Sequence, residues 1–247
     1  MKLKELLMKK INWDNIRLVV ILLAVIFLYS FASHRNEQRN LVAAEVEFAD
    51  NEEFITLDKV NKLLIQNFNS VTSITKDELD LNNVEKRLES DPMIDEAEVF
   101  ATVNGRLKAV VKQRVPIARV YEGVRSYYID YKGGEMPLSE NSTARVPLVS
   151  GSLESVEKNK LYSLVKYIYD DPFLKKNIIG IEVKPSGSLK MKSRNYNYDI
   201  VFGRLINVEK KFGNYKAFFQ NAVKDTLIEH YKTVNLKFTQ QVVCTKN

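Results

Sequence analysis

The stretch LVVILLAVIFLYSFAS, Leu18 to Ser33, contains no charged residue. It constrains the chain more tightly than any other feature, because a run that is apolar all round has no place on the surface of a water-soluble domain. As a helix at 1.5 Å per residue it reaches about 24 Å, against a hydrocarbon core of about 30 Å. Ile16 and a snorkelling Arg17 extend it, and Leu18, Leu22, Val25 and Leu28 are its expected lipid-facing anchor residues. Trp13 on one side and Tyr29 with Phe31 on the other match the aromatic belts of membrane interfaces. Residues 1–17 carry a net charge of +3, half of the +6 of the whole chain. By the positive-inside rule, 1–17 is a cytoplasmic tail, 18–33 spans the membrane, and the chain from 34 onward lies outside. A cleaved signal peptide competes with this reading, since Ser30-Phe31-Ala32 is a passable small-x-small site. Against it stand the long basic n-region and an apolar run longer than the usual h-region.

Beyond the anchor, the chain has the composition of ordinary globular material. The 247 residues are 45% hydrophobic and 28% charged, enough for one or two compact domains with a core. A positive excess could point to nucleic acid, an anionic membrane or a wall polymer. Nucleic acid is set aside because the basic exported face would lie across the membrane from it. The single cysteine, Cys244, forms no internal disulfide and cannot build a metal site alone.

Two blocks come after a short linker, 34–40. In the first, LVAAEVEFAD alternates at Val42, Ala44, Val46 and Phe48 and predicts a strand. TLDKVNKLLIQNF places Leu57, Val60, Leu64 and Phe68 on one helical face. A second helix, with Leu81, Val84 and Leu88 at helical spacing, opens on a capping-box pattern at Thr75 and Glu78 and ends before Pro92. Two alternating runs then flank Asn104-Gly105, Ala97 to Val103 before it and Leu107 to Val111 after, a strong hairpin signal. The order strand, helix, helix, strand, strand makes a small α+β unit.

In the second block, short strands surround Gly123 and Gly133-Gly134, and RVPLVSG reads as a proline-punctuated connector. Leu161, Leu164, Val165 and Ile168 define a helix that stops at Asp170-Asp171-Pro172. NIIGIEVKPSGSLKMKSRNYNYDIVFG reads as a meander of three antiparallel strands. Val208, Phe212, Tyr215, Phe219, Ala222 or Val223, and Leu227 make a long amphipathic helix interrupted only by Gly213. A last strand is expected to carry Val234, Leu236, Phe238 and Val242 on one face, with Thr233, Asn235, Lys237, Thr239, Gln241 and Val243 as candidate partner-binding positions if it lies at a sheet edge. The competing reading is an ordinary closing strand. The cluster Lys184, Lys190, Lys192 and Arg194 reads as edge-strand protection, with an anionic wall polymer or lipid headgroups as the alternative.

Chemistry is sparse. His34 and His230 have no partner at informative spacing, and no Gly-rich phosphate loop, HExxH or Cys/His cluster occurs. Asp95, Glu96 and Glu98 flank a strand and read as its solvated face. No enzyme, metal or cofactor is expected.

In order and spacing, these segments resemble the FtsQ/DivIB family of bacterial cell-division proteins over essentially the full length. The resemblance rests on the basic tail and single span, EEFITLDKV, VEKRLESDPMIDEAEVF, LKAVVKQRVPIARV, YYIDYKGGEMP followed by VPLVSG, and YKTVNLKF. Gln113 stands where relatives usually have an acid, Asn235 where they have Asp, and Phe238 where they have Tyr. The resemblance implies an α+β chain with a POTRA module over 41–115 and a β domain over 116–247, joined near Arg114 and Pro116. It further implies a non-enzymatic divisome scaffold at the septum. Its C-terminal strand would hold FtsB/FtsL (DivIC)-like partners, and its POTRA module would contact other division proteins. A POTRA-type export or assembly chaperone and a membrane-tethered wall hydrolase are the rival classes.

Overall fold

The computed structural model describes residues 13–37, 41–50, 54–65, 79–224, 226 and 228–246. The apolar run lies within one helix, α1 (Trp13–Glu37). Its stretch Asn15–Arg35 is long and apolar enough to cross a membrane, and none of its residues is buried. Leu18, Leu22, Val25 and Leu28 are all exposed on it. Residues 34–37 of the expected linker are helical, and 38–40 lie outside the described residues.

The chain divides into two compact units, the first made of 1–49, 57–90 and 96–111 and the second of 50–56, 91–95 and 112–247. In the first, the order is β1 (Ala43–Phe48), α2 (Leu57–Ile65), α3 (Leu81–Glu89), β2 (Ile94–Ala101) and β3 (Arg106–Gln113). The sheet order is β1-β3-β2, with β1 parallel to β3 from Ala43↔Arg106 to Phe48↔Val111. Helical and strand periodicities meet in one core, where Val60, Leu64, Val84, Leu88, Ala97, Val99, Leu107, Ala109 and Val111 are buried. Phe68 and the Thr75/Glu78 pattern lie outside the described residues; α3 is capped instead by Asp80, whose Oδ1 accepts the Asn83 N–H at 3.1 Å. The hairpin turn is wider than expected. Thr102 N–H donates to Arg106 O and Gly105 N–H to Thr102 O, which puts Val103 in the loop rather than the strand. Gly105 sits there at φ 82°, where a side chain would be strained. The edge strand β2 has its own cover: the Glu85 carboxylate of α3 accepts the Val99 N–H at 2.8 Å.

Among the described residues, the second unit is built on nine strands in the order β12-β11-β10-β9-β8-β7-β4-β5-β6. These are β4 (Pro116–Glu122), β5 (Arg125–Asp130), β6 (Glu135–Met136), β7 (Leu148–Gly151), β8 (Ile178–Val183), β9 (Leu189–Ser193), β10 (Asp199–Gly203), β11 (Tyr231–Asn235) and β12 (Val243–Lys246). Helices α4 (Lys158–Asp170), α5 (Pro172–Asn177) and α6 (Val208–Lys224) contribute Leu161, Leu164, Ile168, Leu174, Phe212 and Tyr215 to one core with the inward residues of these strands. The meander of β8, β9 and β10 is antiparallel throughout, as its alternation predicts.

Three expectations fail here. RVPLVSG is not a connector: it contains β7, which pairs in parallel with both β4 and β8, and Val149 is fully buried. Asp171 does not simply end a helix. Its carboxylate accepts the Phe173 and Leu174 N–H groups, both at 3.0 Å, and starts α5 with Pro172 in the first turn. Edge protection does not explain the lysine cluster either, because β9 lies inside the sheet between β8 and β10. Lys190 and Lys192 instead lie 2.6 and 2.5 Å from the Asp199 carboxylate on the neighbouring strand, and Lys184 lies 2.5 Å from Glu182.

Arg114 and Pro116 both fall within the second unit. Arg114 donates to Ile94 O at 3.1 Å and to Asp130 at 3.0 Å, and Pro116 opens β4. Gln113, in place of an acid, is buried and its Oε1 accepts the N–H groups of Phe54 and Ile55 at 2.8 and 3.0 Å. A neutral amide oxygen does this without the cost of burying a charge.

Candidate functional site

The C-terminal segment is two strands, not one. β11 runs from Tyr231 to Asn235 between β10, to which it is parallel, and β12, to which it is antiparallel. Thr233 and Asn235 are therefore paired on both sides. Lys237, Thr239 and Gln241 lie in the connection 236–242, and Val243 opens β12. Among the described residues no strand lies beyond β12, so the outer main-chain groups of Val243–Lys246 form one edge of the sheet. The alternation of polar and apolar residues from Thr233 to Thr239 runs straight across the break, which is why periodicity alone does not reveal the turn.

Local chemistry explains the break. Asn235 Oδ1 accepts the Lys237 N–H at 3.0 Å, an Asx turn that pulls the chain out of the strand direction. Leu236 is fully buried and donates its N–H to Val201 O at 2.9 Å. From α6, Asn214 donates its side-chain N–H to Thr239 O at 3.0 Å. One turn earlier, the buried Lys211 donates its ammonium to Phe202 O at 3.0 Å and Arg204 O at 2.8 Å, fixing the exit of β10. Burial holds the Lys211 ammonium below the usual lysine range. Gly203 sits between those carbonyls at φ 77°, and a Cβ there would come within 2.9 Å of the Lys237 side chain.

The edge has two faces. Cross-strand register aligns Leu148, Gly180, Lys192, Asp199, Thr233 and Thr245 in one row of the open face, and Ser150, Glu182, Lys190, Val201, Asn235 and Val243 in the next. The hydroxyls of Thr233 and Thr245 are hydrogen-bonded, locking β12 to β11. Burial would raise the Asp199 carboxyl, but hydrogen bonds and charge from Lys190 and Lys192 outweigh it and hold it below the usual carboxylate range. On the opposite face Cys244 is half-buried, and that burial pushes its thiol up. Beside it, Phe218 of α6, Tyr231 and Val242 line a groove of about 330 Å³ whose polar rim is Asn221 and Gln241. Deeper in, the Tyr198 and Tyr215 hydroxyls are hydrogen-bonded at 2.9 Å, and burial raises both phenols.

Among the described residues no group of three His, Cys, Asp or Glu side chains is placed to hold a metal. This arrangement offers main chain and shallow apolar surface, which is the equipment of a binding module.

Two family models match the chain. A POTRA-like domain matches residues 40–112. The FtsQ/DivIB C-terminal-related model matches residues 115–245, more than half of the chain, and the chain belongs to the FtsQ/DivIB family of cell-division proteins. Comparison with curated proteins finds no match. Family and apolar helix together fit a single-pass membrane protein.

Proposed function

We propose that this protein is a non-enzymatic scaffold of the division machinery that captures FtsB/FtsL (DivIC)-like partners by strand addition at the outer edge of β12. Through them it regulates septal wall synthesis. α1 anchors it in the cytoplasmic membrane, with residues 1–17 inside and the chain from 34 onward outside. The POTRA module over 41–115 contacts other division proteins, and the β domain over 116–247 carries the acceptor edge. One observation supports this most: β12 ends a nine-stranded sheet with its outer side uncovered among the described residues. In the first unit, by contrast, Glu85 covers the β2 edge at Val99. An edge left open costs a protein aggregation resistance unless a partner uses it.

Val243 remains at the acceptor edge, while Thr233 and Asn235 act from behind it and Lys237, Thr239 and Gln241 border it in the connection. The unique Cys244 supplies the test. With the full chain and its co-purified partner, single cysteines are placed one at a time along the partner's bound segment and oxidised. Strand addition predicts disulfides to Cys244 at alternate positions, lost in Cys244→Ser. A helical period in the cross-links, or none in a complex that still forms, would overturn the reading.

A further inference from the structure

The other end of the sheet is also open. β6 pairs only with Tyr128 and Ile129 of β5, at Met136 and Glu135. The next residue, Pro137, has no N–H to extend the ladder. Among the described residues this leaves the outer main chain of Arg125–Tyr127 without a strand neighbour.

Beside that edge lies a groove of about 610 Å³, within the range of peptide and ligand sites. Its floor is Tyr127 and Ile129, and its walls include Leu153, Val156 and Tyr162. The aromatic walls are held in place. Tyr162 donates its hydroxyl to Tyr131 O at 2.9 Å and its ring lies against Gly133, while the Arg125 guanidinium sits 4.7 Å from the Tyr127 ring centroid. Two charge pairs at the rim are already satisfied, Arg125 with Glu135 and Lys132 with Asp95, each at 2.5 Å. What remains of the lining's charge is Glu122 and Glu154 against Lys158. In a chain of net charge +6 this groove is therefore locally acidic. The phenol on its floor reports the same sign. Burial raises Tyr127 first, and the carboxylates of Glu122 and Glu135 each raise it by more than Arg125 lowers it.

We propose that Arg125–Tyr127 and this groove form a second docking site, which takes an extended segment of another protein as an added strand with a lysine or arginine side chain over the groove. Main-chain pairing with β5 supplies affinity, and alternation in the incoming strand directs every second side chain toward Tyr127 and the carboxylates of Glu122 and Glu154. The acidic lining selects a basic segment over an acidic one.

The test uses the full chain in zwitterionic micelles and a fluorescein-labelled, end-capped peptide of about six residues alternating valine with lysine. Its counterpart alternates valine with glutamate. Fluorescence anisotropy should show the lysine peptide binding about 10-fold or more tightly than the glutamate peptide. The exposed charge reversals Glu122→Lys and Glu154→Lys together should erase that preference with unchanged thermal unfolding. Cys244→Pro, at the opposite edge, should leave it intact. Equal binding of the two peptides, or a preference that survives the double reversal, overturns the proposal. A preference lost in Cys244→Pro assigns the peptide to β12 and overturns it as well, while leaving the division-partner reading standing.

Discussion

The two ends of the nine-stranded sheet present the same main-chain groups but are held by buried charges of opposite sign. At the β12 end a buried cation, Lys211, donates to the carbonyls of Phe202 and Arg204. At the β5–β6 end a buried anion, Asp130, accepts the N–H groups of Lys132 and Gly134 at 2.9 and 2.7 Å and the guanidinium of Arg114 at 3.0 Å. Lys211 has only neutral partners among the contacts described, whereas Asp130 has a full counter-charge. The grooves differ in parallel, carboxamides and aromatics at one end and carboxylates at the other. Strand addition is not sequence-specific through the main chain, so what each edge accepts is set by the side chains beside it.

The sharpest way to break this comparison is to remove packing at one end only. Leu236→Ala should cost about 2–5 kcal/mol in denaturant unfolding, because a fully buried side chain leaves a cavity behind. The same variant should weaken partner co-purification while leaving the lysine-peptide preference at β5 in place; loss of both would mean that the ends are not independent.

A smaller effect separates the two buried charges. Asp130→Ala should cost about 3 kcal/mol or more, since it strands two N–H donors and the Arg114 guanidinium. Lys211→Met should cost about 1–2 kcal/mol, because the loss of two hydrogen bonds is partly offset by relief of a desolvated charge. Urea midpoints of the two variants measure the difference, and a larger loss at Lys211 would contradict the assignment of its environment.

The smallest effect is electrostatic. The Asp199 carboxyl is held below its ordinary value of 3.8, so its contribution is present above that pH and is lost as pH falls through the folded value. Asp199→Asn should therefore cost at most about 1 kcal/mol at neutral pH, as partly exposed ion pairs do. The difference from the parent chain should shrink toward zero as pH falls through the folded value. A penalty that persists in acid would show that Asp199 acts by packing rather than by charge.

Much of the fold was legible because burial repeats with the geometry of each element. Leu161, Leu164, Val165 and Ile168 are buried on α4 at helical spacing, and Leu189 and Met191 on β9 at strand spacing. β7 was not legible. Four residues that follow Pro147 and end at Gly151 look like a connector, and a parallel strand joined by crossovers leaves no hairpin signal beside it. At the candidate site, the alternation from Thr233 to Thr239 suggested a single strand, but it hid the turn at Asn235–Lys237 that moves the edge to Val243–Lys246. The lysines of β9 were visible as a cluster, yet their partner Asp199 is reached through register rather than sequence proximity.

By itself, the sequence determined the apolar span, the two patterned blocks, most of their helices and strands, and the family, because each depends on side chains close along the chain. Only the tertiary structure decided which strands end the sheet, which charges are buried at its two ends, and which grooves stand beside them. Those outcomes depend on pairings between distant segments, and a side-chain period fixes the face a residue occupies without naming its neighbour strand.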